Sequence, residues 1–146
     1  MTENPSDDNS QLLALLPLIS KTVVSAADLK EFGYTKSQLM IFAALYRSGN
    51  LTMSQVSKYI SSSKEQATRA VAPLVDDGLL ERYVDPQNRT RVHIRLTALG
   101  LKQIEVYKTH IFEKLKIHMR KSLTQEEMLE LRQSVESMIR ILSKLE

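Results

Sequence analysis

The side chains best equipped for recognition chemistry lie in two short runs, Ser61-Ser62-Ser63-Lys64-Glu65-Gln66-Ala67-Thr68-Arg69 and Pro86-Gln87-Asn88-Arg89-Thr90-Arg91. They are hydrogen-bond donors and acceptors of the kinds that match the edges of base pairs in duplex DNA. The Arg69 guanidinium can fork to guanine O6 and N7, the Gln66 carboxamide can pair with adenine N6 and N7, and Glu65 can accept from cytosine N4. With Lys64 these form a set suited to the major groove, where each good bidentate pair gives about 1–3 kcal/mol of discrimination. Ser61, Ser62, Ser63 and Thr68 suit phosphate oxygens, which set register without reporting sequence. From Pro86 to Arg95 the chain carries Arg89, Arg91 and Arg95 and no acid, whereas Asp76, Asp77, Glu81 and Asp85 come just before. The positive field is therefore local. Arg89 is expected to enter the minor groove, where a narrow groove concentrates negative potential, with Arg91 and Arg95 on phosphates.

Other chemistries find little support. The chain has no Cys, which removes disulfides, thiolate metal sites and cysteine nucleophiles. His93, His110 and His118 are isolated and lack a carboxylate pattern for zinc, and no Gly-rich phosphate loop or nucleophile elbow is present. No enzyme activity, metal or cofactor is expected. The 146 residues suffice for one domain, and with 42% hydrophobic but only 5% aromatic residues the core must be aliphatic. Four Gly and four Pro leave little room for an all-β fold, so the architecture is expected to be mainly α. A net charge of +3 is compatible with nucleic acid without requiring it. No run approaches eighteen apolar residues, and Leu12 to Leu18 follows an acidic leader unlike a secretory signal. The expectation is a cytoplasmic protein with no membrane partner.

The elements that must hold the two runs follow from periodicity and capping. Residues 1–10, with Glu3, Asp7 and Asp8, read as a flexible acidic tail. From 11 to about 29, Leu12, Leu15, Leu16, Ile19 and Val23 form a helical stripe that Pro17 must kink or begin. Four Ser/Thr-x-x-Gln/Glu capping boxes, Thr35/Gln38, Thr52/Gln55, Ser63/Gln66 and Thr124/Glu127, mark helix starts. Gly49 and Gly78 mark helix ends, so helices over 35–47, 53–60 and 63–77 follow in close succession. After Gly78 the period changes from 3.6 to 2: Val92, Ile94 and Leu96 alternate with His93, Arg95 and Thr97. That strand pairs with 80–85 through a polar loop at 86–91, giving a two-stranded hairpin with a basic tip. A long helix from Leu99 to about Arg120 and a last one from Thr124 complete the chain. In the last helix Met128, Leu131, Val135, Met138, Leu142 and Leu145 step by three and four, a heptad seam that calls for a partner helix.

This order resembles the MarR family of bacterial regulators. The residues that carry the resemblance are Leu51-Thr52 with Gln55, Ser63 through Arg69, Leu74 with Gly78-Leu79-Leu80, Arg82, Asp85-Pro86, Arg89, and Leu96-Thr97-Ala98-Leu99-Gly100. It implies one MarR-type domain: a winged helix-turn-helix over 35–97 and a helical dimerisation region over 11–34 and 98–146, with Leu12, Leu16 and Ile19 joining the seam in a homodimer interface. It further implies a transcriptional regulator, a repressor in the expected case, on a pseudo-palindromic operator with half-sites about 10 bp apart. A small aromatic effector is implied in a cleft that Tyr46, Arg47, Tyr107 and His110 would line. Two departures stand out. Asn88 and Thr90 occupy wing-tip positions where the family usually has an acid and a second Arg, which puts bracing of the wing in question. Pro73 is expected to bend the recognition helix and leave Lys64 through Arg69 as its reading half. The competing reading is a winged-helix protein-interaction module whose basic hairpin binds an acidic protein.

Overall fold

A computed structural model of the protein describes residues 10–146. The expected tail, apart from Ser10, lies outside the described residues. Element order is α1 (Ser10–Ala27), α2 (Leu29–Phe32), α3 (Lys36–Ser48), β1 (Asn50–Thr52), α4 (Met53–Tyr59), α5 (Lys64–Asp76), β2 (Leu80–Asp85), β3 (Asn88–Leu96), α6 (Ala98–Ser122) and α7 (Gln125–Leu142), closed by a 3-10 turn at Ser143–Leu145. The fold is mainly α with a winged helix-turn-helix at its centre.

Three of the capping boxes close in both directions. Thr35, Thr52 and Thr124 sit in extended backbone and accept from the N–H three residues on, while Gln38, Gln55 and Glu127 return the bond. At Ser63 only half the box forms: its hydroxyl accepts from the Gln66 N–H at 3.2 Å, and no return bond exists among the described residues. Ser63 is thus a simple N-cap, which leaves the Gln66 carboxamide uncommitted. At the other end of α5, Gly78 takes φ 72° and donates to the Val75 carbonyl while Leu79 donates to Leu74, the chain reversal that a side chain at Gly78 would oppose.

Several boundaries differ from expectation. The first helix runs through Pro17 instead of beginning there, and it ends at Ala27, not 29. Asp28 adopts a left-handed conformation (φ 46°, ψ 54°), which Asp tolerates better than most residues, and a separate short helix follows to Gly33. The loop expected at 86–91 shrinks to Pro86-Gln87, since Asn88 to Arg91 already belong to β3, with a register irregularity at Val84/Asp85. The hairpin is also one side of a three-stranded antiparallel sheet of order β1-β3-β2. β1 pairs Leu51 with Ile94, and at three residues it is too short to show a period.

The core follows the aliphatic composition. Ile41, Leu45, Val56, Val71, Leu74, Leu80 and Ile94 are each under 2% exposed and join α3, α4, α5 and the sheet. Each contributes about 1.5–3 kcal/mol by leaving water. Gln38, buried at the start of α3, donates to the Ala70 carbonyl at 3.2 Å and so ties α3 to the middle of α5. A second cluster of Ala27, Leu39 and Tyr107, with Phe32 and Tyr34 against it, joins α1 and α6 to α3 and so to the winged helix-turn-helix. α7 buries no residue.

Where α6 leaves the wing, Thr97 binds twice to the preceding turn. Its N–H donates to the Leu79 carbonyl at 3.0 Å and its hydroxyl to the Gly78 carbonyl at 2.5 Å. The same hydroxyl accepts from the Gly100 N–H at 2.9 Å. The packing leaves no space at Gly100, where a Cβ would stand 1.9 Å from the Leu79 carbonyl oxygen.

Candidate nucleic-acid interface

α5 has a buried back and an exposed front. Ala67, Val71 and Leu74, at steps of four and three, face the core, which turns Lys64, Glu65, Gln66, Thr68 and Arg69 to solvent. The helix continues through Pro73 to Asp76, and Leu74 just beyond the proline is 1% exposed, so packing holds the second half in place. Ser61, with φ 50°, makes the sharp turn between α4 and α5. Ser62 donates to the Ser63 carbonyl at 3.3 Å.

The four candidate base contacts are not equivalent. Arg69 and Glu65 form an exposed i,i+4 ion pair with Nη2 to Oε1 at 2.6 Å, whereas Lys64 and Gln66 make no side-chain bond among the described residues. Glu65 therefore aims Arg69 in the absence of a ligand, and the two can engage bases separately only after that pair opens. Among the candidate phosphate contacts, the Thr68 hydroxyl donates to the Lys64 carbonyl at 2.9 Å. Its proton is already committed, so it offers an approaching phosphate less than its sequence position suggests.

On the wing, Arg89 and Arg91 are exposed and take no ion-pair or hydrogen-bond partner among the described residues. Arg95 differs. Its Nε lies 2.5 Å from Glu81 Oε1, and its guanidinium stands 4.6 Å above the Tyr83 ring. Tyr83 in turn stacks on His93 at 5.2 Å, forming a ladder across β2 and β3 that stiffens the wing below its tip. Arg95 is first a wing residue, with only its remaining N–H groups open to a phosphate. The tip departures have their own bracing: Asn88 Oδ1 accepts from the Thr90 N–H at 3.2 Å and from its hydroxyl at 2.6 Å, and Asp85 Oδ1 accepts from the Gln87 N–H at 2.9 Å. Local side-chain bonds stand where the usual acid and second Arg would be.

The four residues assigned to an effector cleft fall in separate surroundings. Tyr46 is exposed, with the Lys108 ammonium 2.7 Å from its hydroxyl and 4.6 Å from its ring centroid. Arg47 binds Tyr59, Ser143 and Glu146. Tyr107 is 2% exposed, lies 4.5 Å from the Phe32 ring, and has a hydroxyl without a partner among the described residues. Burial, then the nearby Tyr34 and Asp28, pushes its pKa up to about 12. His110 meets Phe32 edge-on at 4.8 Å, so only Tyr107 and His110 share a neighbourhood. A groove of about 410 Å³ opens elsewhere, between α1 and α6, lined by Leu18, Lys21, Thr22, Ser25, Lys114 and His118 among others.

His110 is not isolated, as its sequence context suggested. Its ligand atom and those of Asp28 and Glu31 lie within 4.8 Å of one another. These three could approach a cation, but the Lys114 ammonium already binds the Asp28 carboxylate and, as the leading cause, lowers its pKa.

Comparison with known proteins bears on the head and the whole chain separately. Residues 32–89, from the end of α2 to the wing tip, match the model of the MarR family. Over these residues the winged helix-turn-helix is similar to that of the MarR family. Two solved variants of MepR from S. aureus align over most of the chain. One, from a multidrug-resistant clinical isolate, is 27% identical, covering 88% of this chain and 96% of that one with a TM-score of 0.73. The other, bound to an oligodeoxyribonucleotide, is 26% identical, covering 90% and 97% with a TM-score of 0.60. Apo MarR from E. coli, 20% identical over 92% and 98% at a TM-score of 0.73, has the same fold. No curated protein matches the sequence. The MarR-type fold thus extends beyond the matched head to α6 and α7. Among the described residues no helix is long and apolar enough to cross a membrane.

Proposed function

We propose that the protein is a transcriptional regulator that binds duplex DNA sequence-specifically as a homodimer and acts as a repressor. The observation that carries this reading is the exposed front of α5 beside a wing whose tip guanidinium, Arg89, has no partner among the described residues. Lys64, Glu65, Gln66 and Arg69 meet base edges in the major groove, Ser61, Ser62 and Ser63 meet phosphates, and Arg89 enters the flanking minor groove. Arg91 adds a phosphate contact, while Arg95 and Thr68 contribute chiefly to the shape of the surface. That a MepR variant of similar fold is bound to an oligodeoxyribonucleotide supports the assignment.

The dimer reading rests on unpaired apolar faces. Leu131, Val135 and Leu142 on α7 are about 40% exposed or more, and Leu12, Leu16 and Ile19 on α1 are exposed as well. With Met128, Met138 and Leu145 they offer a second copy a continuous seam, which would set two reading heads on a pseudo-palindrome. A small aromatic effector remains what the resemblance implies, and the four residues assigned to its cleft do not converge on one cavity.

Selection of bound fragments from genomic DNA, followed by salt titration of binding to the enriched site, tests the proposal. Enrichment of a palindrome is expected. Arg89→Ala should weaken binding and reduce the slope of log K against log salt by about one. No enrichment, with salt-sensitive capture of acidic proteins instead, would make the hairpin a protein-docking element.

A further inference from the structure

The end of α7 is tied to the reading head by one side-chain cluster. Arg47, in the last turn of α3, donates from Nη1 to the Ser143 hydroxyl at 3.1 Å and from Nη2 to the Tyr59 hydroxyl at 3.0 Å. It also pairs with the Glu146 carboxylate, which accepts a second bond from the Tyr59 hydroxyl. Three parts of the chain meet here: the end of α3, the end of α4 just before the turn into α5, and the 3-10 turn after α7. Among the described residues, every hydrogen bond from 125–146 to the reading head passes through Arg47 or Tyr59. α7 buries no residue fully, with only Met128 and Met138 half-buried, so this tie is its polar link to the reading head. Donation from Arg47, then from Tyr59, holds the Glu146 carboxyl below the ordinary carboxylate range.

We propose that Arg47 is a positioning residue which, through Tyr59, Ser143 and Glu146, latches α7 to the helix-turn-helix and so fixes the half-site spacing that two reading heads accept. This rests on the reading of the chain as a dimeric DNA-binding protein. The seam residues of α7 set where the partner sits, and α5 sets where the bases are met. The latch is the polar link between the two, so opening it leaves each head able to read a half-site while loosening the angle at which it is presented.

The test uses the full chain, with Arg47→Gln, Glu146→Gln and the reversed pair Arg47→Glu with Glu146→Arg. Amide hydrogen exchange without DNA reads the latch itself, and binding to a half-site duplex, to the selected operator, and to operators lengthened or shortened by two base pairs reads its consequence. Each single variant is expected to speed exchange at 143–146 and at 59–62. It should reduce discrimination between native and altered spacing by about two- to fivefold, the reach of an exposed ion pair, with half-site affinity unchanged. The reversed pair should recover both. Unchanged exchange in both singles would overturn the latch. Faster exchange with unaltered spacing preference, or an equal loss on half-site and operator, would overturn its positioning role. If the wild-type chain bound no duplex at all, the DNA-binding reading would fail, while the exchange data would still decide whether the latch exists.

Discussion

Replacing Gly100 by Ala pits local helix preference against tertiary packing, and the two predict opposite signs. Gly100 is the third residue of α6 and has an ordinary helical φ, so intrinsic propensity favours Ala by about 1 kcal/mol. Against this, the new Cβ would stand 1.9 Å from the Leu79 carbonyl oxygen, 2.9 Å from its carbon and 3.2 Å from Leu96 Cδ2. A carbon approaches a carbonyl oxygen no closer than about 3.3 Å even in favourable contacts, so α6 and the Leu79 turn must separate by more than 1 Å. The two nearest atoms are backbone, so no rotamer change relieves the clash. Separation weakens the two bonds from Thr97 to Leu79 and Gly78, at about 1 kcal/mol each, and overpacking adds about 1–3 kcal/mol. Less the propensity gain, Gly100→Ala should destabilise the protein by about 2–4 kcal/mol, or lower Tm by roughly 5–15 °C for a chain of this size. Urea unfolding at fixed protein concentration measures it, since a dimer's midpoint depends on concentration. A variant as stable as wild type would show that α6 does not seat on Leu79, and the placement of the reading head against α6 would need revision.

Other outcomes follow from single contacts. Tyr107→Phe removes a buried hydroxyl without a partner among the described residues and should leave stability unchanged or raise it by roughly 1 kcal/mol, whereas a loss of that size would reveal a bond to ordered water. Because burial raises the Tyr107 pKa to about 12, the folded state favours the neutral phenol; its contribution is complete below pH 10 and is lost as pH rises from 10 towards 12. Wild type should therefore lose stability relative to Tyr107→Phe across that window in alkaline unfolding, and the pH dependence of the two should run parallel below it. Glu65→Gln frees Arg69 and removes a negative charge near the phosphates; binding to random duplex should strengthen and the specificity ratio fall, as read by competition titration. Leu131→Asp with Val135→Asp should convert the dimer to monomer in sedimentation and weaken operator binding more than half-site binding.

Residues whose signal is local were readable in the chain alone. The cap at Ser63, the stop at Gly78 and the alternation through Val92, Ile94 and Leu96 depend on neighbours within four positions; they delimit α5 nearly to the residue and locate the hairpin, though β3 begins four residues before the alternation does. Where a partner lies far along the chain, sequence reasoning missed it. β1 has three residues and no period, and exists because Leu51 meets Ile94 across the sheet. Arg95 looked free for phosphate because Glu81, fourteen residues away, becomes its cross-strand neighbour only once register is set. Asn88 and Thr90 looked like losses, since a pattern of residue types does not show that the two bond each other.

What the amino-acid sequence determined by itself is the kind of protein: an aliphatic, helix-rich domain with a helix-turn-helix, a basic hairpin and an exposed heptad seam, because composition, capping and periodicity are short-range properties. Tertiary structure alone decided how these parts are joined. Leu96-Thr97-Ala98-Leu99-Gly100 is legible as a motif, but the need for Gly100 arises from a carbonyl twenty-one positions earlier. Arg47, which the resemblance places in an effector cleft, is bound to Glu146, ninety-nine positions on, a contact no local pattern announces. Contacts over such separations come from how helices and sheet pack once their apolar faces are buried, and no window of the sequence contains both partners.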